Sequence, residues 1–336
     1  MNIAIVGATG NVGRKIIEVL EKKNFKISEL FLVASSKSEG KKINFNGKEH
    51  SVIDLEKFDF SKVKIAFFAA GSAIAEKWAH VAAQKTIVID NSKFFRKDPD
   101  IPLVVPEVNP KELVKIKNKN IISNANCSVI PVVVALKPLH DLYNIKRIVA
   151  STYQSVSGAG KAPMDELLSQ TKDHFNNKKL ESQHFTKQIA FNAIPHIDSF
   201  LESGYTKEEQ KTTDEIRKIL DNKIKITSTC VRIPVLVSHC ISANVEFNKK
   251  CNLDEIRNVL STSPGCKVID EHKDGGYVTP AEAEDKFETF ISRIRIDESQ
   301  SNTINLWIVS DNLLKGAALN AVEIAEALIE QDLYGK

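Results

Sequence analysis

The sequence predicts an α/β chain of two domains. Three observations carry that prediction: short β-branched runs alternating with helical patterns at the start, a glycine-rich turn directly after the first run, and longer strands from about Ile145 onward. At 336 residues the chain exceeds one ordinary core and suits two domains of roughly 100–200 residues each. Hydrophobic residues at 42% and charged residues at 26% are the balance of a globular protein rather than a disordered or fibrous one. The 46 basic and 43 acidic side chains leave a formal charge of +3, and the lysines are scattered, which argues against nucleic acid as a partner.

The alternation runs Ile3–Val6 (strand), Val12–Lys22 (helix), Leu30–Ala34 (strand), Lys64–Phe68 (strand), Ala73–Ala83 (helix), Thr86–Ile89 (strand) and Asn120–Ser123 (strand). Such a series implies parallel strands joined by right-handed crossovers. A helix is expected to begin near Cys127 and run through Val132 to Leu139. The later strands, Ile145–Gln154, Lys225–Ile233, His239–Phe247, Phe287–Ile296 and Asn302–Val309, read as a mixed, largely antiparallel sheet with its own helices. Leu314, Ala318, Ala321, Ile324, Ala325 and Leu328 form one apolar stripe, so the segment Leu313–Ile329 is expected to be a helix that folds back onto the first domain. The domains expected are residues 1–127 completed by 312–336, and residues 128–311; Thr171–Gln188 is the most linker-like stretch.

No apolar run reaches the length of a membrane span, and Met1–Val6 enters a strand without a secretory pattern. Five cysteines, Cys127, Cys230, Cys240, Cys251 and Cys266, contain no Cys-x-x-Cys pair, so neither a disulfide framework nor a metal site is indicated. A reducing cytoplasm is the expected location.

The first strand is followed by Gly7-Ala8-Thr9-Gly10-Asn11-Val12-Gly13 and then at once by a helical pattern. Glycines there let the backbone turn sharply and approach a pyrophosphate seated on the positive end of the helix, so a Rossmann-type dinucleotide site is expected at Gly7, Thr9, Gly10, Asn11, Val12 and Gly13. At the end of the second strand, where NAD enzymes place an acid, the chain has Ser35-Ser36-Lys37-Ser38. Ser35, Lys37 and Ser38 suit a 2′-phosphate, which favours NADP.

Cys127 lies in Ser123-Asn124-Ala125-Asn126-Cys127-Ser128, between a strand and an apolar helix. A helix N-terminus stabilises a thiolate, which makes Cys127 the candidate nucleophile, and Pro131 suits the helix's first turn. The other cysteines lie within strands or near element ends and read as structural. His239 opens a strand after Val231-Arg232-Ile233-Pro234-Val235-Leu236-Val237-Ser238, so Arg232 and His239 flank one tight connection. Together they offer a permanent cation and a proton carrier.

These residues together resemble the aspartate-semialdehyde dehydrogenase family over nearly the whole chain. The likeness includes the glycine turn, the cysteine loop, Val88-Ile89-Asp90-Asn91-Ser92 through Phe95-Arg96-Lys97-Asp98-Pro99, and Pro102-Leu103-Val104-Val105-Pro106-Glu107-Val108-Asn109. It continues in Gln154-Ser155-Val156-Ser157-Gly158-Ala159-Gly160-Lys161, Asn192-Ala193-Ile194-Pro195, Val231-Arg232-Ile233-Pro234-Val235 and Asp311-Asn312-Leu313-Leu314-Lys315-Gly316-Ala317-Ala318. The resemblance implies a glyceraldehyde-3-phosphate-dehydrogenase-like fold, with a catalytic and dimerisation domain following the NADP-binding one.

By the same resemblance Cys127 carries the acyl thioester and His239 is the general acid/base, with Gln154 holding His239 and substrate. Arg232 is implied to bind the substrate carboxylate and Glu208 its ammonium group, although Glu209 adjoins Glu208 and leaves the register open. Arg96, Asn126 and Lys211 are implied to bind phosphate, with Ser157, Gly158 and Asn312 near the nicotinamide. The implied reaction is reductive dephosphorylation of L-4-aspartyl phosphate in amino-acid biosynthesis, by a homodimer that in some members pairs into a homotetramer. Backbone N–H groups at the start of the Cys127 helix are the expected oxyanion donors. Four positions depart from the family pattern: Ala125 for proline, Ser238 and Cys240 in Ser238-His239-Cys240 for Gly-His-Ser, and Ser292 for glycine. Two other readings use the same fold: an N-acetyl-γ-glutamyl-phosphate reductase, whose substrate has no free ammonium to need Glu208, and a non-catalytic NADP-binding subunit.

Overall fold

A computed structural model describes residues 1–334, and it divides into two compact units, Met1–Asn126 with the chain from Ala317 onward, and Cys127–Gly316. Gly335 and Lys336, at the end of the segment expected to complete the first domain, lie outside the described residues.

The first unit contains β1 (Asn2–Val6), α1 (Asn11–Lys22), β2 (Glu29–Ala34), β3 (Lys42–Phe45), β4 (Lys48–Asp54), β5 (Ile65–Phe68), α2 (Ser72–Ala83), β6 (Ile87–Asp90), β7 (Leu103–Val104) and β8 (Ile121–Asn124). Its sheet runs in the order β3-β4-β2-β1-β5-β6-β8-β7, and every pair is parallel except β3 with β4. The chain moves outward from β1 to β2 and β4, then returns to β5 on the other side of β1. Strand order therefore reverses at β1, and such a reversal opens a crevice at the carboxyl ends of the strands. Val6, Val33, Phe60, Phe68, Ala79 and Ile121 belong to the core on one face of this sheet.

The second unit contains α3 (Val129–Tyr143), β9 (Ile145–Gln154), α4 (Lys161–Phe175), α5 (Lys207–Ile219), β10 (Lys225–Arg232), β11 (His239–Phe247), α6 (Leu253–Thr262), β12 (Cys266–Val268), α7 (Pro280–Ala283), β13 (Thr289–Ile296) and β14 (Thr303–Ser310). Its sheet order is β10-β9-β11-β14-β13-β12, with the end pairs β10/β9 and β12/β13 parallel and the three pairs between them antiparallel. Alternation along β9 buries Ile148, Ala150, Thr152 and Gln154 and leaves Arg147, Val149, Ser151 and Tyr153 less buried, as expected of a sheet covered on one face. Helix α3, buried almost throughout from Val129 to Leu136, packs on β11, β13 and β14.

The C-terminal segment differs from the single helix expected over Leu313–Ile329. Leu314–Leu319 forms a π-helical turn, and only from there does α8 (Asn320–Glu330) run as an α-helix. The turn carries a Gly316 N–H to Asp311 carbonyl bond at 3.0 Å, and glycine is required there because a side chain would meet the Cys127 backbone at 2.9 Å. In the first unit α8 lies against α1 and β6, with an ion pair from Lys23 to Glu326 at 2.8 Å. Thr171–Gln188 is likewise only partly a linker, since Thr171–Phe175 completes α4. The rest is tied to that helix: the Glu166 carboxylate accepts from the Gln183 and His184 N–H groups, and Gln170 accepts from those of Ile189 and Ala190.

Candidate active site

In the first unit the glycine turn has the shape its sequence implies. Gly7 has φ of 90°, and a Cβ there would fall 2.6 Å from the Ala69 carbonyl oxygen; at Gly13 a Cβ would fall 2.2 Å from that of Gly7. Only glycine fits either place. Gly10 caps α1 with no side-chain hydrogen bond, and the first turn holds no acidic residue to oppose the positive end of the helix dipole. The parallel pairing of β1 with β2 brings the Ser35–Ser38 turn to the same edge, where Lys37 is exposed and Ser38 buried. Arg96 is buried, donating from Nε to the Asn124 carbonyl and from Nη2 to that of Asn91. Asn126 is buried at the end of this unit.

The second unit sets its polar side chains by strand register. Gln154 on β9 pairs with Arg232 on β10 and with His239 on β11, and His239 pairs with Ser310 on β14. Residues opposite one another across a sheet project from the same face. Four adjacent strands thus present Arg232, Gln154, His239 and Ser310 as one buried row. Helix α3 packs over that face, which carries the preceding Cys127 to the row: its Sγ lies 3.3 Å from His239 Nε2. The helix itself starts two residues after Cys127, with Ser128 as its N-cap.

Helix α5 packs on β10 and adds acid and base to the row. Glu208 Oε1 accepts from Gln154 Nε2 at 3.4 Å, and its Oε2 pairs with Lys211 at 2.5 Å; Lys211 also reaches Asp198 at 3.0 Å. Glu209 faces elsewhere: it closes a capping box with Thr206 and accepts from the Cys230 N–H. Of the two adjoining carboxylates, Glu208 is the one at the row.

Burial dominates the electrostatics. His239 is fully buried, and desolvation followed by the nearby Arg232 charge pushes its pKa down to about 3. Burial also lowers that of Arg232, opposed by Glu208 and Cys127, and its Nη1 donates to the Ser155 carbonyl at 2.6 Å. For Lys211 burial disfavours the charge, but Glu208 and Asp198 outweigh it and the pKa is raised. Cys230 and Cys240 are pushed up to about 12, by desolvation foremost, as inert buried thiols should be.

Ser157, Gly158 and Asn312 gather beside the row. A Cβ at Gly158 would lie 3.1 Å from His239 Nε2 and 3.3 Å from Arg232 Nη1, so backbone replaces side chain where the space is narrowest. Asn312 Oδ1 accepts from the hydroxyls of Ser155 and Ser157 and from the Ser238 N–H. Ser155 is a member of this site that the sequence does not single out. It follows Gln154, but only the fold turns both its N–H and its hydroxyl toward His239 Nδ1, each at 3.1 Å.

The departures from the family pattern are accommodated, Cys240 as a buried thiol. Ala125 is buried, and the Ser292 hydroxyl accepts from the Val278 N–H. Ser238 is the costly one: its φ of 74° lies in the left-handed region, and its buried hydroxyl has no hydrogen-bond partner among the described residues. Ser238→Gly is therefore expected to raise unfolding stability by roughly 1 kcal/mol, the relief of that backbone strain less the extra freedom of glycine when unfolded. Urea titration of both proteins measures this; a less stable variant would mean the hydroxyl is bonded in solution.

Among the described residues no group of three or more His, Cys, Asp or Glu side chains could hold a metal ion, and no helix is long and apolar enough to cross a membrane. Residues 2–116 match the semialdehyde dehydrogenase NAD binding domain, and residues 136–315 match the semialdehyde dehydrogenase dimerisation domain. An aspartate-semialdehyde dehydrogenase of Aquifex aeolicus is 50% identical over 335 residues, and one of Rickettsia bellii 48% over 330; each comparison covers 98% of this chain and 98% of the relative. The crystal structure of aspartate semialdehyde dehydrogenase II from Vibrio cholerae superposes with a TM-score of 0.96 at 47% identity, covering 98% of both chains, and the same protein has been solved in complex with ASA. On a shared fold, full-length identity and both domain matches, this chain belongs to the aspartate-semialdehyde dehydrogenase family.

Proposed function

We propose that the protein reduces L-4-aspartyl phosphate to L-aspartate 4-semialdehyde and phosphate, reversibly, through a thioester on Cys127. The observation that carries this reading is the 3.3 Å approach of Cys127 Sγ to His239 Nε2 beside Gln154, Arg232 and Glu208. The Vibrio cholerae relative's complex with ASA supports the substrate class.

Arg232 is a buried planar fork suited to the substrate carboxylate. Glu208, already facing a cation in Lys211, offers its carboxylate to the substrate ammonium, and this favours a free amino acid over an N-acetylated one. Lys211, Arg96 and Asn126 supply the phosphate contacts. The Cys127 thiolate attacks the acyl carbon; the C–S bond forms as the C–O bond to phosphate breaks, and phosphate leaves with the electron pair and takes up a proton. NADPH, when bound, supplies a hydride to the thioester carbon. The resulting oxyanion, held by backbone N–H groups at the start of α3 and attended by His239, re-forms its carbonyl as the C–S bond breaks and the pair returns to sulfur.

Gly7, Thr9, Gly10, Asn11, Val12 and Gly13 hold the pyrophosphate, since the turn has room for backbone only. Ser35, Lys37 and Ser38 hold the 2′-phosphate, and Ser157, Gly158 and Asn312 face the nicotinamide. Lys37→Glu should therefore move preference from NADP toward NAD, measured as the ratio of kcat/KM values; an unchanged ratio would assign the 2′-phosphate to other groups. The enzyme works in the cytoplasm as a homodimer built on the second unit. A spectrophotometric assay with aspartate semialdehyde, NADP and phosphate tests the function: absorbance of NADPH should rise only when all three are present. No phosphate-dependent rise would remove the proposal.

A further inference from the structure

We infer that Asp198 is a positioning residue for substrate recognition: it shares Lys211 with Glu208 and so leaves the Glu208 carboxylate able to turn to the substrate's ammonium group. This deepens the reading of Glu208 as that ammonium's partner and rests on it.

Glu208 and Lys211 stand three residues apart on α5, close to one helical turn, where opposite charges pair by default. They do so at 2.5 Å, with side chains only 8% and 15% exposed. A lysine held by that carboxylate alone would be a resident competitor for it. The substrate ammonium is a second cation seeking the same oxygens, and in a site withdrawn from water the contest is little screened by salt.

Asp198 changes the balance. Lys211 Nζ donates to its Oδ2 at 3.0 Å, so the lysine lies between two carboxylates, and together they outweigh the cost of burying its charge. When Glu208 turns away, Lys211 keeps an anionic partner and no buried cation is left bare. One cation between two anions also leaves a single negative charge, which the arriving ammonium neutralises.

Asp198 is fixed for this place by the chain around it. Its φ of 67° lies in the left-handed region, which aspartate tolerates better than most residues. The Ser199 N–H donates to Oδ1 at 2.9 Å, which orients the carboxylate and leaves Oδ2 to the lysine. The segment is fastened to the start of α5, since the Lys207 N–H donates to the Ser199 carbonyl and the Leu201 N–H to the Tyr205 carbonyl, each at 2.8 Å. The helix that carries Glu208 and Lys211 therefore also sets the position of Asp198, which acts through the lysine.

Asp198→Asn removes the charge but keeps an oxygen for the Ser199 N–H and a side chain that tolerates left-handed backbone, so the loop should persist. With NADP and phosphate saturating, the KM of the full-length enzyme for aspartate semialdehyde should rise roughly tenfold, the size of one charged hydrogen bond, with kcat within about threefold. Succinate semialdehyde has the same aldehyde and carboxylate without the amine, and its inhibition constant should move by less than about twofold. A merely disturbed loop would weaken both ligands alike. In a Lys211→Met background the competitor is gone, and Asp198→Asn should add less than about twofold to the semialdehyde KM. An unchanged KM in Asp198→Asn would overturn the inference, as would an equal loss for the ligand without the amine or an undiminished effect in the Lys211→Met background. Glu208→Gln separates it from the reading beneath it. An unchanged semialdehyde KM in that variant would remove Glu208 as the ammonium's partner, whereas a raised KM there beside a normal one in Asp198→Asn would remove the role of Asp198 alone.

Discussion

Cys127→Ala is expected to abolish turnover in both directions while leaving NADP affinity unchanged. The cradle for the pyrophosphate is built by Gly7 and Gly13, where only backbone fits, and the sulfur takes no part in it. What the variant loses is the atom that exchanges phosphate for a bond the hydride can attack. Serine at the same place would not restore it, because an alkoxide is far harder to form than a thiolate. Steady-state assay with a fluorescence titration of NADPH checks both halves. Measurable phosphate-dependent turnover in the alanine variant would end the covalent mechanism, and loss of cofactor affinity would mean the variant had disturbed more than the thiol.

His239→Asn should lower kcat by about 100- to 10,000-fold, the span usual when a general acid/base is removed. The effect belongs to a ring pushed down to about 3 by burial and by Arg232, so no ionisation of His239 is expected to shape the rate profile near neutral pH. The sign for stability follows from the same shift. The unfolded chain protonates its histidine near the ordinary value while the native site resists, so between that value and about 3 the unfolded state binds more protons and stability falls as pH falls. Removing the ring should flatten that dependence, which urea titrations at pH 7 and pH 5 would show. A variant with near-native kcat would place the proton elsewhere.

Much of the fold is legible in the sequence because the signals are local. Parallel strands with helical crossovers announce themselves by period, and β9 runs over Ile145–Gln154, the residues its pattern marks. The β3–β4 hairpin was equally available: Asn46-Gly47, both at positive φ, is a strong two-residue hairpin signal between Ile43, Phe45 and Val52. Short β7 and β12 carry too few residues for any period to emerge. The π turn at Leu314–Leu319 was not legible, since Gly316 within it packs against Cys127, a residue 189 positions away in the chain (316 less 127).

At the site the chemistry was readable and the geometry was not. Cys127, Arg232 and His239 stand out by residue type and by their neighbours, whereas Ser155 meets His239 partly through a backbone N–H, which every residue but proline possesses. The ambiguity between Glu208 and Glu209 had a local answer. Thr206-Lys207-Glu208-Glu209 is a capping box, which commits the fourth residue to the helix terminus and releases the third.

The row shared by four strands also limits how this enzyme can change. Side chains alternate faces along each strand, so inserting or deleting one residue within β9, β10 or β11 would turn that strand's contribution away from the thiol altogether. A two-residue change would restore the face but slide the group by about 6.6 Å, beyond reach of its neighbours. A change of length is therefore tolerated in the loops that join these strands, whereas their interiors admit a change of residue type but not of count.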